Sequence, residues 1–177
     1  MYIDKLERKQ ESGMTLVELL IVIAVFSLLV TGLIVAINPT AQIGKSNDAN
    51  RKSDLAQLQR ALEVYYQDKG KYPGNPGPGN YTINDGSARN WGASWSPYMT
   101  RLPKDPLSVN RYVYFSPTSG ACINNQCYYI YANLQQTKDP QACNGGNPCA
   151  SLAANSIPNN SCGGICNYAV SSPNVAP

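Results

Sequence analysis

The sequence predicts an α+β fold: a long N-terminal α-helix, transmembrane and then amphipathic, packed on a small antiparallel β-sheet, with a disulfide-rich C-terminal loop region. Three observations predict it. An apolar run from Met14 to Ile37 carries one ionisable residue, Glu18. Leu55, Leu58, Leu62 and Tyr65 or Tyr66 then fall on one helical face. Two short β-branched and aromatic runs follow, and all six cysteines lie in the last third among Asn, Gly, Ser and Pro.

The apolar run is 24 residues long, and about 20 suffice for a helix to cross a bilayer. A carboxylate inside such a segment is costly and as a rule has a partner and a role. The plain alternative is a signal anchor whose Glu18 reaches the headgroups. Residues 1–13 are polar, carry three basic and three acidic side chains, and end in Ser12-Gly13. A secretory signal is cleaved after its apolar region; here the small residues precede it. Cleavage after Gly13 removes the polar leader and keeps the helix. The new amine at Met14 then lies one turn from Glu18, the spacing at which opposite charges meet.

Asn38-Pro39 ends the apolar run, because proline lacks the N–H and loosens a helix. A second helical stretch is expected from about Ala41 to Gln67, its apolar stripe opposed by Lys52, Asp54, Gln57 and Arg60, with Gly70 and Pro73 as the stop. Residues 73–110 hold six prolines and five glycines and read as loop, with a short helical turn from Ser96-Pro97 to about Leu102. Trp91, Trp95 and Tyr98 read as packing residues. Arg111–Phe115 and Cys127–Ala132 read as an antiparallel hairpin laid on the Leu55–Tyr66 stripe. One helix on one sheet is the α+β layer arrangement.

Cys122, Cys127, Cys143, Cys149, Cys162 and Cys166 are even in number and loop-bound, the pattern of a disulfide framework in an oxidising compartment. Sequence does not choose the connectivity; pairing of neighbours, 122–127, 143–149 and 162–166, is the expectation. No Cys-x-x-Cys and no histidine argue for zinc. The missing histidine also removes the commonest general base, and no catalytic constellation stands out. A formal charge of +3 is too mild to make nucleic acid the main partner. Three bases precede the helix and three (Lys45, Arg51, Lys52) follow closely, so charge does not orient it; the cysteines place the C-terminal part outside the cytoplasm.

Gly13 followed by Met14-Thr15-Leu16-Val17-Glu18 and an unbroken apolar run resembles the leader of the type IV pilin and type II secretion pseudopilin superfamily. The resemblance implies cleavage after Gly13 by prepilin peptidase, methylation of the new N-terminus at Met14, and subunit docking through Glu18. Methionine replaces the commoner phenylalanine, and the leader is neutral rather than basic. Tyr65-Tyr66-Gln67-Asp68-Lys69-Gly70-Lys71-Tyr72-Pro73, Leu102-Pro103-Lys104-Asp105-Pro106 and the tyrosine-rich strands are similar to the major pseudopilin of type II secretion, from Gly13 to about Leu134. That family often binds calcium through acids of a C-terminal loop. From Gln135 onward only Asp139 is acidic, so no calcium site, and no other metal or cofactor, is carried over.

The expected organisation is a leader (1–13), a transmembrane and filament-core helix (14–37), an amphipathic helix entering the globular domain (38–72), loop plus antiparallel strands (73–134) and a Cys-rich region (135–177). The implied role is structural and not enzymatic: a homo-oligomeric helical filament anchored in the inner membrane, most simply a type II secretion pseudopilus. Prepilin peptidase and inner-membrane assembly machinery are the implied partners. The alternatives are a type IV pilus subunit for adhesion, motility or DNA uptake, and a non-polymerising anchored binding domain using Trp91, Trp95 and the tyrosines.

Overall fold

The computed structural model describes residues 13–120 and 122–177, so the expected leader lies, apart from Gly13, outside the described residues. The chain forms two compact units, residues 1–41 and 42–177. In the first, α1 runs from Leu16 to Ile37. Asn38 ends it in the left-handed conformation (φ 47°), and α2 begins at Pro39. The Ala41 N–H donates to the Asn38 carbonyl at 3.1 Å and to its Oδ1 at 3.4 Å, so the residue that closes one helix also caps the next.

α2 continues to Lys69. Gly70 follows with φ 69° and donates its N–H to the Tyr66 carbonyl at 2.7 Å, an ending that favours glycine. The buried positions of α2 include Gly44, Asp48, Arg51, Leu55, Leu58, Leu62 and Tyr65. Their spacing alternates four and three, so the buried stripe extends well before Leu55.

Three strands, β3 (Val113–Phe115), β4 (Tyr129–Ala132) and β5 (Tyr168–Ser171), form an antiparallel sheet in the order β3-β4-β5. A smaller ribbon pairs β1 (Ile83–Asn84) with β2 (Ala88–Arg89). The expected hairpin is present with shorter strands, and Tyr114 faces Ile130 across it. The third strand went unforeseen, because Tyr168-Ala169-Val170 is too short to stand out among loop residues. Successive residues of a strand face opposite ways. Tyr112, Tyr114, Tyr128, Ile130 and Ala132 join Leu55, Leu58, Leu62 and Tyr65 in one core. Val113, Tyr131 and Ala169 join Leu152, Ile157, Cys149, Cys162 and Cys166 in a second. The sheet is thus covered by α2 on one face and by the Cys-rich region with α3 (Ala150–Ala154) on the other.

The expected helical turn after Ser96-Pro97 does not form. Trp95 and Met99 exchange both backbone hydrogen bonds, at 3.0 and 2.8 Å, and such mutual closure is a tight turn rather than a helix. This turn seats Trp95, which is fully buried, against Tyr98 at 5.3 Å and Tyr65 at 5.7 Å between ring centroids. Its Nε1 donates to Asp85 at 3.1 Å, the polar outlet a buried indole needs.

The tyrosine hydroxyls are likewise matched. Tyr72 and Tyr128 both donate to Glu63, Tyr112 donates to Asp54 at 2.6 Å, and Tyr114 to the Pro73 carbonyl at 2.6 Å. Burial and the Glu63 and Asp54 carboxylates push the Tyr72 and Tyr112 hydroxyls well above the ordinary tyrosine range, so they act as fixed donors.

Arg51 is completely buried. It donates from Nε and Nη2 to Asp105 at 2.7 and 2.8 Å and from Nη1 to Asp48 at 2.7 Å. Asp48 also accepts from the backbone N–H of Gln135 and Gln136 at 2.9 and 2.8 Å, and Asp105 from that of Leu107 at 2.9 Å. Removing one member of such a cluster leaves buried charge unpaired. Arg51→Met is therefore expected to lower unfolding free energy by about 3–5 kcal/mol, read from urea denaturation of the detergent-solubilised chain.

Lys52 Nζ donates to Asp139 at 2.6 Å, and this bond holds the Asp139 carboxyl below the usual range. A depressed carboxyl stabilises the fold above its unfolded-state pKa, and that stabilisation is lost as pH falls through the lower folded value. Asp54, raised by burial despite the Tyr112 hydrogen bond, has the opposite sign. Asp139→Asn should flatten the loss of stability below about pH 4 relative to wild type, measured as melting temperature against pH.

Candidate functional site at the head of the apolar helix

Thr15 precedes α1 in an extended conformation (φ −74°, ψ 151°) and caps it. Its Oγ1 accepts the Glu18 N–H at 3.2 Å, and Glu18 Oε2 accepts from the Thr15 backbone N–H at 2.9 Å and from its hydroxyl at 2.8 Å. This is a reciprocal capping box, which satisfies backbone donors that a helix start leaves free. The carboxylate also sits in the first turn, where the helix dipole favours negative charge.

The sequence places Met14 beside Glu18 as a cation, but in the uncleaved chain the Met14 nitrogen is a peptide nitrogen, and Thr15 is the partner Glu18 has. Thr15 is the site residue that sequence reasoning missed. The signal was present: Thr-x-x-Glu before an apolar run is the capping-box pattern. Among the described residues Gly13 is exposed, and Met14 is 61% exposed.

Along α1, Leu16 to Ile34 is long and apolar enough to cross a membrane, and its large side chains are 44–78% exposed. The two hydroxyls within it return to the helix: Ser27 donates to the Ile23 carbonyl at 2.7 Å and Thr31 to that of Ser27 at 2.8 Å. Back-bonded in this way, they add little polarity to the lateral surface. Glu18 is therefore the one charge that α1 brings to an apolar environment.

The six cysteines lie in the other compact unit, joined as Cys122–Cys127, Cys143–Cys149 and Cys162–Cys166, with Cα separations of 5.5, 5.0 and 5.4 Å. Among the described residues no three His, Cys, Asp or Glu side chains converge to hold a metal ion.

Removal of the Thr15 side-chain bonds by Thr15→Val should weaken the start of α1 by about 1 kcal/mol. Faster hydrogen exchange at the amides of residues 16–18 in micelles is the expected outcome; unchanged exchange would deny the cap a role.

Residues 38–126 match the family described as type II secretion system (T2SS), protein G, and residues 8–34 match the prokaryotic N-terminal methylation motif. The chain is 29% identical to the type II secretion system core protein G of Aeromonas hydrophila over 114 residues, covering 63% of this chain and 78% of that protein. It is 30% identical over 122 residues to the protein of the same name from Vibrio cholerae, covering 62% and 73%. The Pseudomonas aeruginosa protein is 28% identical over 126 residues. No solved structure matches the chain.

Proposed function

The chain belongs to the type II secretion system protein G family, and from that premise we propose how its parts serve a pseudopilus, the filament of which it is a structural subunit. The observation that carries the proposal is the capped Glu18 at the head of an otherwise uncharged, exposed helix. Prepilin peptidase cuts after Gly13, and methylation follows at Met14. Cleavage turns the Met14 peptide nitrogen into an amine one turn from Glu18.

Before cleavage the α1 helix rests in the inner membrane with the C-terminal domain outside the cytoplasm. Assembly machinery then moves it from lipid into the core of a helical filament, where neighbouring α1 helices replace the acyl chains. In that apolar core an unpaired carboxylate is expensive. Pairing Glu18 with the Met14 amine of the next subunit removes the cost and fixes axial register. The chain's role is then structural rather than catalytic.

A specific observation favours a second reading: the C-terminal region is closed by disulfides, as in surface type IV pili. Electron microscopy of expressing cells separates the two, long surface fibres indicating a pilus and their absence a pseudopilus.

The intact mass of protein purified from membranes containing a prepilin peptidase tests the processing. A species beginning at Met14 and one methyl group heavier is expected; a mass beginning at Met1 would refute it. Glu18→Ala and Glu18→Leu should insert normally yet lose filament incorporation at least about tenfold, read as the yield of chemically cross-linked multimers in membranes that carry the assembly machinery.

A further inference from the structure

The three disulfides are not equivalent. Cys122 and Cys127 are also buried, but they pack into neither the α2-facing core nor the second core, and hydrogen bonds hold their loop independently of the bridge. Asn125 accepts from the Tyr72 N–H at 2.9 Å and donates to the Ser116 carbonyl at 3.0 Å. Gln126 donates to the Gly70 carbonyl at 3.0 Å and accepts from Tyr66 at 2.8 Å.

The other two bridges build the second core itself. Cys149, Cys162 and Cys166 are buried among Val113, Tyr131, Leu152 and Ile157, with Cys143 half-buried against them. Their backbones interlock: the Cys149 N–H donates to the Cys166 carbonyl at 3.1 Å, and the Arg111 N–H to that of Cys162 at 3.0 Å. A Cβ on Gly163 would lie 2.0 Å from the Val109 carbonyl oxygen, and one on Gly164 2.2 Å from Asn133, so the Cys162–Cys166 turn is pressed against its neighbours.

Asn167 follows directly and is buried. Its side chain accepts from the Leu134 N–H at 2.7 Å and donates to the Leu134 carbonyl at 3.1 Å. Leu134 leads into Gln135 and Gln136, whose N–H groups bind Asp48 of the Arg51 cluster. Between residues 135 and 167 the regular structure is one 3-10 turn and the five-residue α3, too little to hold this layer without cross-links.

We propose that closing Cys143–Cys149 and Cys162–Cys166, and not Cys122–Cys127, is the step that makes the subunit competent for assembly, and that its partner is a thiol–disulfide oxidant outside the cytoplasm. The proposal rests on the pseudopilin reading. For each bridge a cysteine thiolate attacks the oxidant's disulfide to give a mixed disulfide. The second cysteine then displaces the oxidant, so two protein thiols become one S–S bond and the oxidant's disulfide leaves as a dithiol. Reduced chain has an unformed second layer and β5 unsupported; oxidised chain presents the folded domain.

Three double variants of the full chain test this in cells carrying type II secretion assembly machinery and prepilin peptidase: Cys143→Ala with Cys149→Ala, Cys162→Ala with Cys166→Ala, and Cys122→Ala with Cys127→Ala. The first two should lose sedimentable filament by about tenfold or more and the third should stay within about twofold of wild type, with Gly13 cleavage unchanged in all three by intact mass. Assembly of either of the first two at the wild-type level, or an equal loss in the third, overturns the gate. A wild type that keeps residues 1–13 and forms no filament overturns the pseudopilin reading itself. Independently, purified wild-type chain treated with dithiothreitol should become sensitive to chymotrypsin at Leu152, which is buried when oxidised; continued protection would also refute the proposal.

Discussion

The buried guanidinium of Arg51 is the constraint on which the globular part depends. One side chain of α2 meets both oxygens of Asp105, and the same cation meets Asp48, which in turn holds the chain leaving β4. Two segments far from α2 in sequence, around Asp105 and around Gln135, are thereby fixed on one helix face. Every donor and acceptor has to be supplied together, since a buried charge that loses its partner costs more than the pair contributes. Among the described residues no buried side-chain nitrogen or oxygen lacks a hydrogen bond. The Leu-Pro-Lys-Asp-Pro segment, which as sequence is only a family resemblance, acquires a physical reason: Asp105 is the carboxylate that neutralises Arg51.

On that anchored helix the sheet is sealed from both sides. Tyrosine suits this position because its ring fills apolar space while its hydroxyl reaches a carboxylate or carbonyl at the edge. Glu63 and Asp54, on α2, serve as the acceptors for three of these hydroxyls. The second layer is of another kind. It has little regular structure, and its order comes from two disulfides and the Asn167 side chain, which bonds to Leu134 much as a neighbouring strand would.

The two compact units solve opposite problems. The globular unit pairs the charges it buries, whereas α1 exposes apolar side chains and keeps a single carboxylate at its head. Within the uncleaved chain that carboxylate is satisfied by Thr15, in the first turn of its own helix. In the proposed docking a partner amine has to compete with this existing cap, and a low-dielectric setting that strengthens charge pairing is what would let it do so.

Much of this is legible in the sequence for local reasons. Hydrophobic run length defines α1, the Asn38-Pro39 break separates it from α2, and tyrosine-rich runs mark β3 and β4. The Gly13–Glu18 segment carries its chemistry in adjacent residues, so residue order alone reveals the candidate site, and even Thr15 is readable as a capping box. Arg51 is not, because a charged residue in phase with Leu55 looks like the end of an apolar stripe until Asp105 is known to face it. The second face of the sheet is also hidden: Tyr-Val-Tyr-Phe and Tyr-Tyr-Ile-Tyr-Ala lack polar alternation, as a doubly covered sheet requires, but what covers it lies in a downstream stretch of glycines and asparagines with no helical or strand period of its own. Only the tertiary structure decided which cysteines pack into the second core and which close a hydrogen-bonded loop outside it, since a side chain's neighbours are not recorded by spacing along the chain.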